Sequence, residues 1–301
     1  MVVLGGYCRA TIRMKDGTLM GWGFNTYGEL GVGDNINTNS FEKISPVGRD
    51  VVEVICGQTY TFIKLSDGTL MSCGCNQFGQ LALGDNFNRN VFSEIKNVGK
   101  NVAAVTCGDS HTVVGFMDGT LMSCGGNSSG QLGLGDFKNR FLFQKIGSVG
   151  KNVVEVKCFA DSTMIRFGDG ILMSCGNNCV GQLGVGHFES INSFRKIEGI
   201  GKNVVEIVYG LLSVFIRFSN GTLMGCGYNI YGVLGLGDYY NRNSFVVICG
   251  IPKNIEKVTC GSYHTVITFT DGTLMSCGYN GNGQLGQEGI MKRSTFSVIK
   301  M

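Results

Sequence analysis

The sequence predicts an all-β chain assembled from six copies of one four-stranded unit, and three observations carry that prediction. The first is an anchor dipeptide, Asp-Gly or once Asn-Gly, at Asp16, Asp67, Asp118, Asp169, Asn220 and Asp271, spaced by a constant 51 residues. The second is that the apolar residues of each copy fall in short β-branched and aromatic runs, with no sustained helical period. The third is composition: 48 glycines in 301 residues suit tight turns and close strand approach, and they lack the period of three of a collagen-like chain. A fixed period of this length marks a repeat architecture, with one supersecondary unit per copy. Six copies fill residues 1–301 as one domain, leaving no room for a second domain or a long linker.

The second copy shows the elements in order. "VVEVICG" (Val51 to Gly57) and "YTFIKLS" (Tyr60 to Ser66) read as strands. Asp67-Gly68 is expected to supply the positive backbone angles of a two-residue hairpin turn. "TLMSCG" (Thr69 to Gly74) is the returning strand, a Gly- and Asn-rich loop follows, and "VFSEI" (Val91 to Ile95) reads as a fourth strand. The two prolines, Pro46 and Pro252, fall in the same connection between copies, where a missing N–H does least harm to a ladder. Four short antiparallel strands repeated six times predict a β-propeller of six four-stranded blades.

"GQLGLGD" after a strand ending in "CGxN" or "WGxN", followed by "VTCGxxHTV", resembles the regulator-of-chromosome-condensation repeat. The best matches are Gly130 to Asp136 for the first element, and Val105 to Val113 and Val258 to Val266 for the second. The resemblance covers essentially the whole chain. Most members of that family have seven blades, so six copies imply a six-bladed ring, with a seven-bladed-like or an open, incomplete ring as the alternatives. The chain ends favour completeness: "MVVLGG" matches the strand beginning at Val52, and "FSVIK" matches Phe92 to Lys96.

A formal charge of +3, from 25 basic and 22 acidic residues, is far below what announces a nucleic-acid protein by itself. No apolar run is long enough to span a membrane, and the apolar start reads as an interior strand rather than a signal peptide, so an intracellular location, nuclear or cytoplasmic, is expected. The sequons at Asn127 and Asn220 then read as accidental. The regular, Asn-, Ile- and Lys-flavoured copies also resemble propellers of large DNA viruses, which implies a virion or infection role.

Of the 13 cysteines, Cys73, Cys124, Cys175, Cys226 and Cys277 share one repeat column, with Trp22 in the first copy, and Cys56, Cys107, Cys158 and Cys260 share another. Equivalent positions are spread around a propeller, so these read as small interior residues rather than a metal or disulfide set. Cys175 and Cys179 alone do not make a metal site. His111, His187 and His264 lack catalytic partners, and the recurring Asp34, Asp85, Asp136 and Asp238 read as turn residues. The Gly-rich loops lack the Lys-Ser/Thr and the helix of a phosphate loop. The sequence carries no catalytic constellation, no metal site and no cofactor motif.

Alternating strands sort the loops onto two faces. One carries the hairpins and the connections between copies; the other carries the "GQLGLGD" loops and the "CGxxH" corners. On the first, Arg49, Lys100, Lys151, Lys202 and Lys253 form a basic column, a candidate phosphate-binding arc, although the hairpin Asp column partly cancels it and a solvated rim is the competing reading. Arg89, Arg140, Arg242 and Arg293 form a shorter column on the second face. That face also gathers aromatic residues in the fifth, sixth and first copies: Phe24, Tyr27, Tyr228, Tyr231, Tyr263 and Tyr279, with Phe78, Tyr60, Tyr239 and Tyr240 at related positions. A Tyr-rich, charge-poor patch is what the centre of a protein interface looks like.

The leading expectation is therefore a non-enzymatic interaction scaffold, holding an unidentified protein partner on Phe24, Tyr27, Tyr228, Tyr231, Tyr263 and Tyr279. The alternative is association with DNA or nucleosomes through the basic column, as the resemblance to chromatin-binding relatives implies. The founding member of the family is a guanine-nucleotide exchange factor for a small GTPase, acting through a wedge-like insertion. The constant spacing here leaves no such insertion.

Overall fold

The computed structural model describes residues 2–6, 8–44, 51–147, 149–150 and 152–300. Among them the regular structure is strand, in six four-stranded antiparallel sheets. The first sheet holds β1 (Val2–Gly6), β2 (Arg9–Arg13), β3 (Leu19–Gly23) and β4 (Thr38–Lys43). The second holds β5 (Val51–Cys56), β6 (Tyr60–Leu65), β7 (Leu70–Gly74) and β8 (Arg89–Glu94). The third holds β9 (Val102–Cys107), β10 (His111–Phe116), β11 (Leu121–Gly125) and β12 (Arg140–Lys145). The fourth holds β13 (Val153–Phe159), β14 (Ser162–Phe167), β15 (Leu172–Gly176) and β16 (Ile191–Lys196). The fifth holds β17 (Val204–Tyr209), β18 (Ser213–Phe218), β19 (Leu223–Gly227) and β20 (Arg242–Val247). The sixth holds β21 (Ile255–Cys260), β22 (His264–Phe269), β23 (Leu274–Tyr279) and β24 (Lys292–Val298). Strand order follows chain order in every sheet, so the loops alternate between two ends of each sheet as the sequence predicts. The chain divides into two compact units, Met1–Thr163 with Asn192–Phe194, and Met164–Ile191 with Arg195–Met301.

In the second, third, fourth and fifth sheets the second strand is covered on both faces, so its first four residues are buried without alternation. In β6, Tyr60, Thr61, Phe62 and Ile63 are all buried. Within the first unit, Leu19, Ile44, Val54, Ile63 and Phe92 pack between the first and second sheets. Phe62, Leu81, Val105, Val114 and Phe143 pack between the second and third. Within the second unit, Phe215, Leu234, Ile267, Phe269 and Phe296 form the corresponding core. The outer strand pairs with its neighbour through a bulge: Ser72 faces Ser93 and Gly74 faces Arg89, with a register shift at Cys73. That bulge is why β8 starts two residues before the predicted Val91.

The hairpin differs from expectation. Gly68 has φ +86°, but Asp67 is not left-handed, and the Gly68 N–H donates to the Leu65 carbonyl. This is a type I turn closed by a left-handed glycine, the three-residue hairpin form. The Asp67 carboxylate accepts the Thr69 N–H at 2.9 Å, which holds Asp67 in the turn without a positive φ. A Cβ at Gly68 would lie 2.2 Å from the Lys100 carbonyl oxygen, so the next connection is packed directly onto the turn.

Successive sheets are tied by polar columns as well as by the core. In the first unit the Thr61, Thr112 and Thr163 hydroxyls donate to the Glu29, Gln80 and Gln131 carbonyls of the preceding sheet's loop, at 2.6, 2.9 and 2.7 Å. The Cys73 and Cys124 thiols point at the Glu29 and Gln80 carbonyls. In the second unit Thr265 and Cys277 converge likewise on the Val233 carbonyl. Trp22, at the cysteine position of the first sheet, instead packs edge-on against Phe41 of β4, with centroids 4.6 Å apart.

Candidate functional site

Each long loop is pinned by the Asn of its Gly-x-Asn segment. In the fifth sheet Asn229 is fully buried; its Oδ1 accepts the Leu234 N–H and its Nδ2 donates to the Asp238 carbonyl and carboxylate. Two turns follow, with the Gly232 N–H donating to Asn229 and the Gly235 N–H to Gly232. Tyr228 and Tyr231 flank this pinned segment. At the neighbouring corner, the Tyr279 N–H donates to the Tyr263 carbonyl at 2.8 Å. Backbone bonds therefore fix the places from which all four rings project.

The four rings meet. Tyr231 lies 4.9 Å from Tyr279, 5.3 Å from Tyr263 and 6.1 Å from Tyr228, centroid to centroid, and Tyr228 lies 5.9 Å from Tyr263. The tilted and edge-on arrangements are those that aromatic pairs favour. Tyr228 also packs against the core, and burial, followed by the neighbouring Tyr231 and Tyr263, pushes its phenol pKa up. Tyr263 is 39% exposed, and Ile230, between Tyr228 and Tyr231, is exposed too. This surface belongs wholly to the second unit and carries no charge among the residues named.

Of the other aromatic positions, Phe24 and Tyr27 lie in the first unit, Phe24 exposed and Tyr27 half-buried. Tyr27 and the exposed Phe78 line a cleft of about 400 Å³ together with Asp109, Ser110 and Asp161. Tyr60 is not a surface residue. It is fully buried, and its hydroxyl donates to the His111 carbonyl at 2.5 Å, so the ring braces the next sheet. Tyr239 is held under Lys292, whose ammonium lies 4.1 Å from the ring centre, and Tyr240 is 76% exposed.

The cleft has a faint counterpart in the sequence. Its signal is a pair of adjacent corner positions that become acidic only in the third and fourth copies, as Asp109 and Asp161. Asp161 accepts from Ser110 and from the Gln131 amide at 3.2 and 3.0 Å. Burial and then the neighbouring Asp161 charge push the Asp109 carboxyl pKa up.

The basic columns are less available than the sequence implies. Arg49 and Lys151 lie outside the described residues. Lys100 is exposed but paired with Asp67 at 2.5 Å, and this hydrogen bond, followed by those from Thr69, pulls the Asp67 carboxyl pKa down. Lys202 and Lys253 are exposed, with no ion pair among the described residues. On the other face Arg89, Arg140 and Arg242 each close a salt bridge to the Asp four residues earlier, Asp85, Asp136 and Asp238. Those three guanidiniums hold their own loops.

His111 and His187 hold the fold, and of the cysteines Cys73, Cys75, Cys124, Cys175, Cys226 and Cys277 are buried while Cys8, Cys179 and Cys249 are exposed. His111 is fully buried with Nε2 2.9 Å from the Thr163 hydroxyl, and His187 Nδ1 accepts the Glu189 N–H in place of the usual turn Asp. The cysteines are free thiols, and burial pushes Cys158 and Cys260 up to about 12. Among the described residues no group of three or more His, Cys, Asp or Glu is placed to hold a metal ion. Among the described residues no helix is long and apolar enough to cross a membrane. Asn127 is buried as a loop pin, which leaves its sequon without an accessible amide.

Residues 16–63, 67–114, 118–165 and 220–268 match the regulator of chromosome condensation (RCC1) repeat, and residues 255–284 match a second form of it. The chain belongs to the RCC1 repeat family. Over 290 residues it is 30% identical to the ultraviolet-B receptor UVR8 of Arabidopsis thaliana, covering 93% of this chain and 64% of that protein. It is 26% identical over 273 residues to the human E3 ubiquitin-protein ligase HERC2, covering 88% of this chain but 6% of the ligase. The chain thus spans less than two thirds of these relatives. Among solved structures it is similar to yeast RCC1 (Prp20) bound to Kap60, with a TM-score of 0.82 at 17% identity, over 100% of this chain and 75% of that one. At that identity the likeness shows the fold, which is the RCC1-type β-propeller with six blades here. Such propellers are mostly non-enzymatic, and RCC1-family relatives that are enzymes, HERC2 among them, are so through other domains.

Proposed function

We propose that this RCC1-family chain is a non-enzymatic interaction scaffold that holds a protein partner on the Tyr228, Tyr231, Tyr263 and Tyr279 surface. The observation that carries the reading is the convergence of these rings, 4.9–6.1 Å apart, on loops pinned by buried Asn and backbone bonds. Large rigid aromatics with few rotatable bonds lose little entropy on binding, and Tyr is enriched among the residues that dominate interface energy. The solved complex of yeast RCC1 with Kap60 adds support from a relative that binds a protein. Tyr231 touches each of the other three rings and is the expected hot spot. Its replacement by Ala is expected to weaken a partner by about 2 kcal/mol, roughly 30-fold. Affinity purification with the wild type and with Tyr231→Ala, each quantified by mass spectrometry, tests this. Partners retained equally by both proteins would refute it.

The second reading, binding to duplex DNA or nucleosomes, is favoured by Lys202 and Lys253, which are exposed and have no ion pair among the described residues. Anisotropy titrations of labelled duplex at two salt concentrations separate it from the first: loss of binding in Lys202→Gln with Lys253→Gln, at unchanged Tyr231→Ala affinity, would favour it. A nuclear or cytoplasmic location accords with either reading.

A further inference from the structure

The sixth copy breaks a pattern that three other loops keep. In three copies an Asp and the Arg four residues later form an ion pair, and the Arg also donates to the carbonyl two residues before it: Phe87, Lys138 and Tyr240. The sixth copy keeps the Arg as Arg293 but has Gly289 where the Asp belongs. The loop "GQLGQEG" then takes another course: the positive-φ glycine that precedes the Asp in those copies, Gly84, Gly135 or Gly237, is replaced by Glu288, and Gly289 takes φ +75° instead. Arg293 has no ion pair and no side-chain hydrogen bond among the described residues, and its buried Nε is unpartnered. Instead it lines an open pocket of about 550 Å³ with Lys300, Ser297, Gln287 and Glu288. The Gln287 amide donates to the Ser297 hydroxyl oxygen at 2.6 Å, leaving that hydroxyl's own proton free to donate.

We propose that this pocket binds a carboxylate supplied by another molecule, the Asp or Glu side chain of an acidic peptide segment, in the place of the missing loop Asp. The guanidinium fork matches a carboxylate in two parallel hydrogen bonds; in the sister loops one arm takes the Asp carboxylate and the other a backbone carbonyl. Lys300 is exposed, has no ion pair among the described residues and adds a second cation at the rim. Glu288 opposes the guest and limits its affinity. The site is separate from the tyrosine surface, so either can fail without the other.

The test is anisotropy of a fluorescein-labelled Glu-Asp-Glu-Asp peptide, acetylated or amidated at its free end, with a Gln-Asn-Gln-Asn peptide as control. The full chain is used, at low salt. The acidic peptide is expected to bind and the neutral one not to bind. Arg293→Gln should weaken binding about 10-fold or more, the effect of a lost charge-assisted hydrogen bond. Arg140→Gln, which removes a guanidinium already paired, should leave it unchanged. Glu288→Gln should tighten it, a gain that misfolding cannot mimic, and Tyr231→Ala should not alter it. Equal binding by wild type and Arg293→Gln overturns the proposal, as does an acidic peptide that does not bind. Inorganic phosphate that displaces the peptide at lower concentration than acetate does would reassign the pocket to phosphate and overturn the carboxylate assignment.

Discussion

Lowering the pH from 7 to 5 should cost the folded protein about 2 kcal/mol through His111 alone. His111 is fully buried, and burial holds its imidazole pKa down to about 3 from an ordinary 6.5. The folded state therefore keeps the ring neutral over a range in which the unfolded chain takes up a proton. This contribution to stability is fully present above pH 6.5, and it is lost at about 1.4 kcal/mol per pH unit as pH falls from there toward 3. His111→Gln keeps an amide able to reach the Thr163 hydroxyl and cannot titrate. Urea unfolding of both proteins at pH 7 and pH 5, followed by far-ultraviolet circular dichroism, isolates the effect, because every other titrating group cancels in the difference of differences. The wild type should lose about 2 kcal/mol more than the variant between those pH values. Equal losses would refute the reasoning, as would a His111 ring resonance that titrates near pH 6.5 in the folded protein.

Four further outcomes are expected. Asp109→Asn should stabilise the fold at pH 7, because burial and Asp161 raise the folded carboxyl's pKa; the gain should vanish as pH falls to the ordinary Asp range, which urea midpoints at pH 7 and 3.5 would show. Asn127→Ala leaves the buried Leu132 N–H without its acceptor and should cost about 1–3 kcal/mol, with faster amide exchange in the 127–139 loop. Gly235→Ala would place a Cβ 2.3 Å from the Phe296 ring at φ +68° and should cost about 1–3 kcal/mol in urea unfolding. If duplex DNA binds at all, Lys202→Gln with Lys253→Gln should lower the slope of log affinity against log salt by about 2, since each neutralised phosphate contributes about 0.9.

The sheets were legible because the repeat displays each strand six times, so a run such as β6 is recognised by its copies even though it lacks the alternation of a half-exposed strand. The hairpin departs from the sequence expectation at Asp67, which lacks a positive φ. An Asp-Gly pair fits two turn types, and the choice was made by the Asp67 carboxylate bonding to the Thr69 N–H, a contact the letters do not reveal. Among site residues, Tyr228, Tyr231, Tyr263 and Tyr279 could be gathered from column positions on one loop face. Tyr60 shares the corner with Tyr263 but lies one residue further along, and that step turns its side chain inward onto His111. The arginine column shows the opposite limit. Its basic character was plain, yet the Asp four residues earlier, present in three copies and absent beside Arg293, decides which guanidinium is free.

The central claim is that the tyrosine surface is where a protein partner docks. Its most direct measurement places the photo-crosslinking residue p-benzoylphenylalanine at Tyr263 in one protein and at Phe137, an exposed ring of the first unit, in another, and exposes both to extract from the cell of origin. The account predicts a discrete crosslinked protein from position 263 that disappears when Tyr231→Ala is added and is absent from position 137. A product that forms equally from position 137, or that persists with Tyr231→Ala, would contradict it.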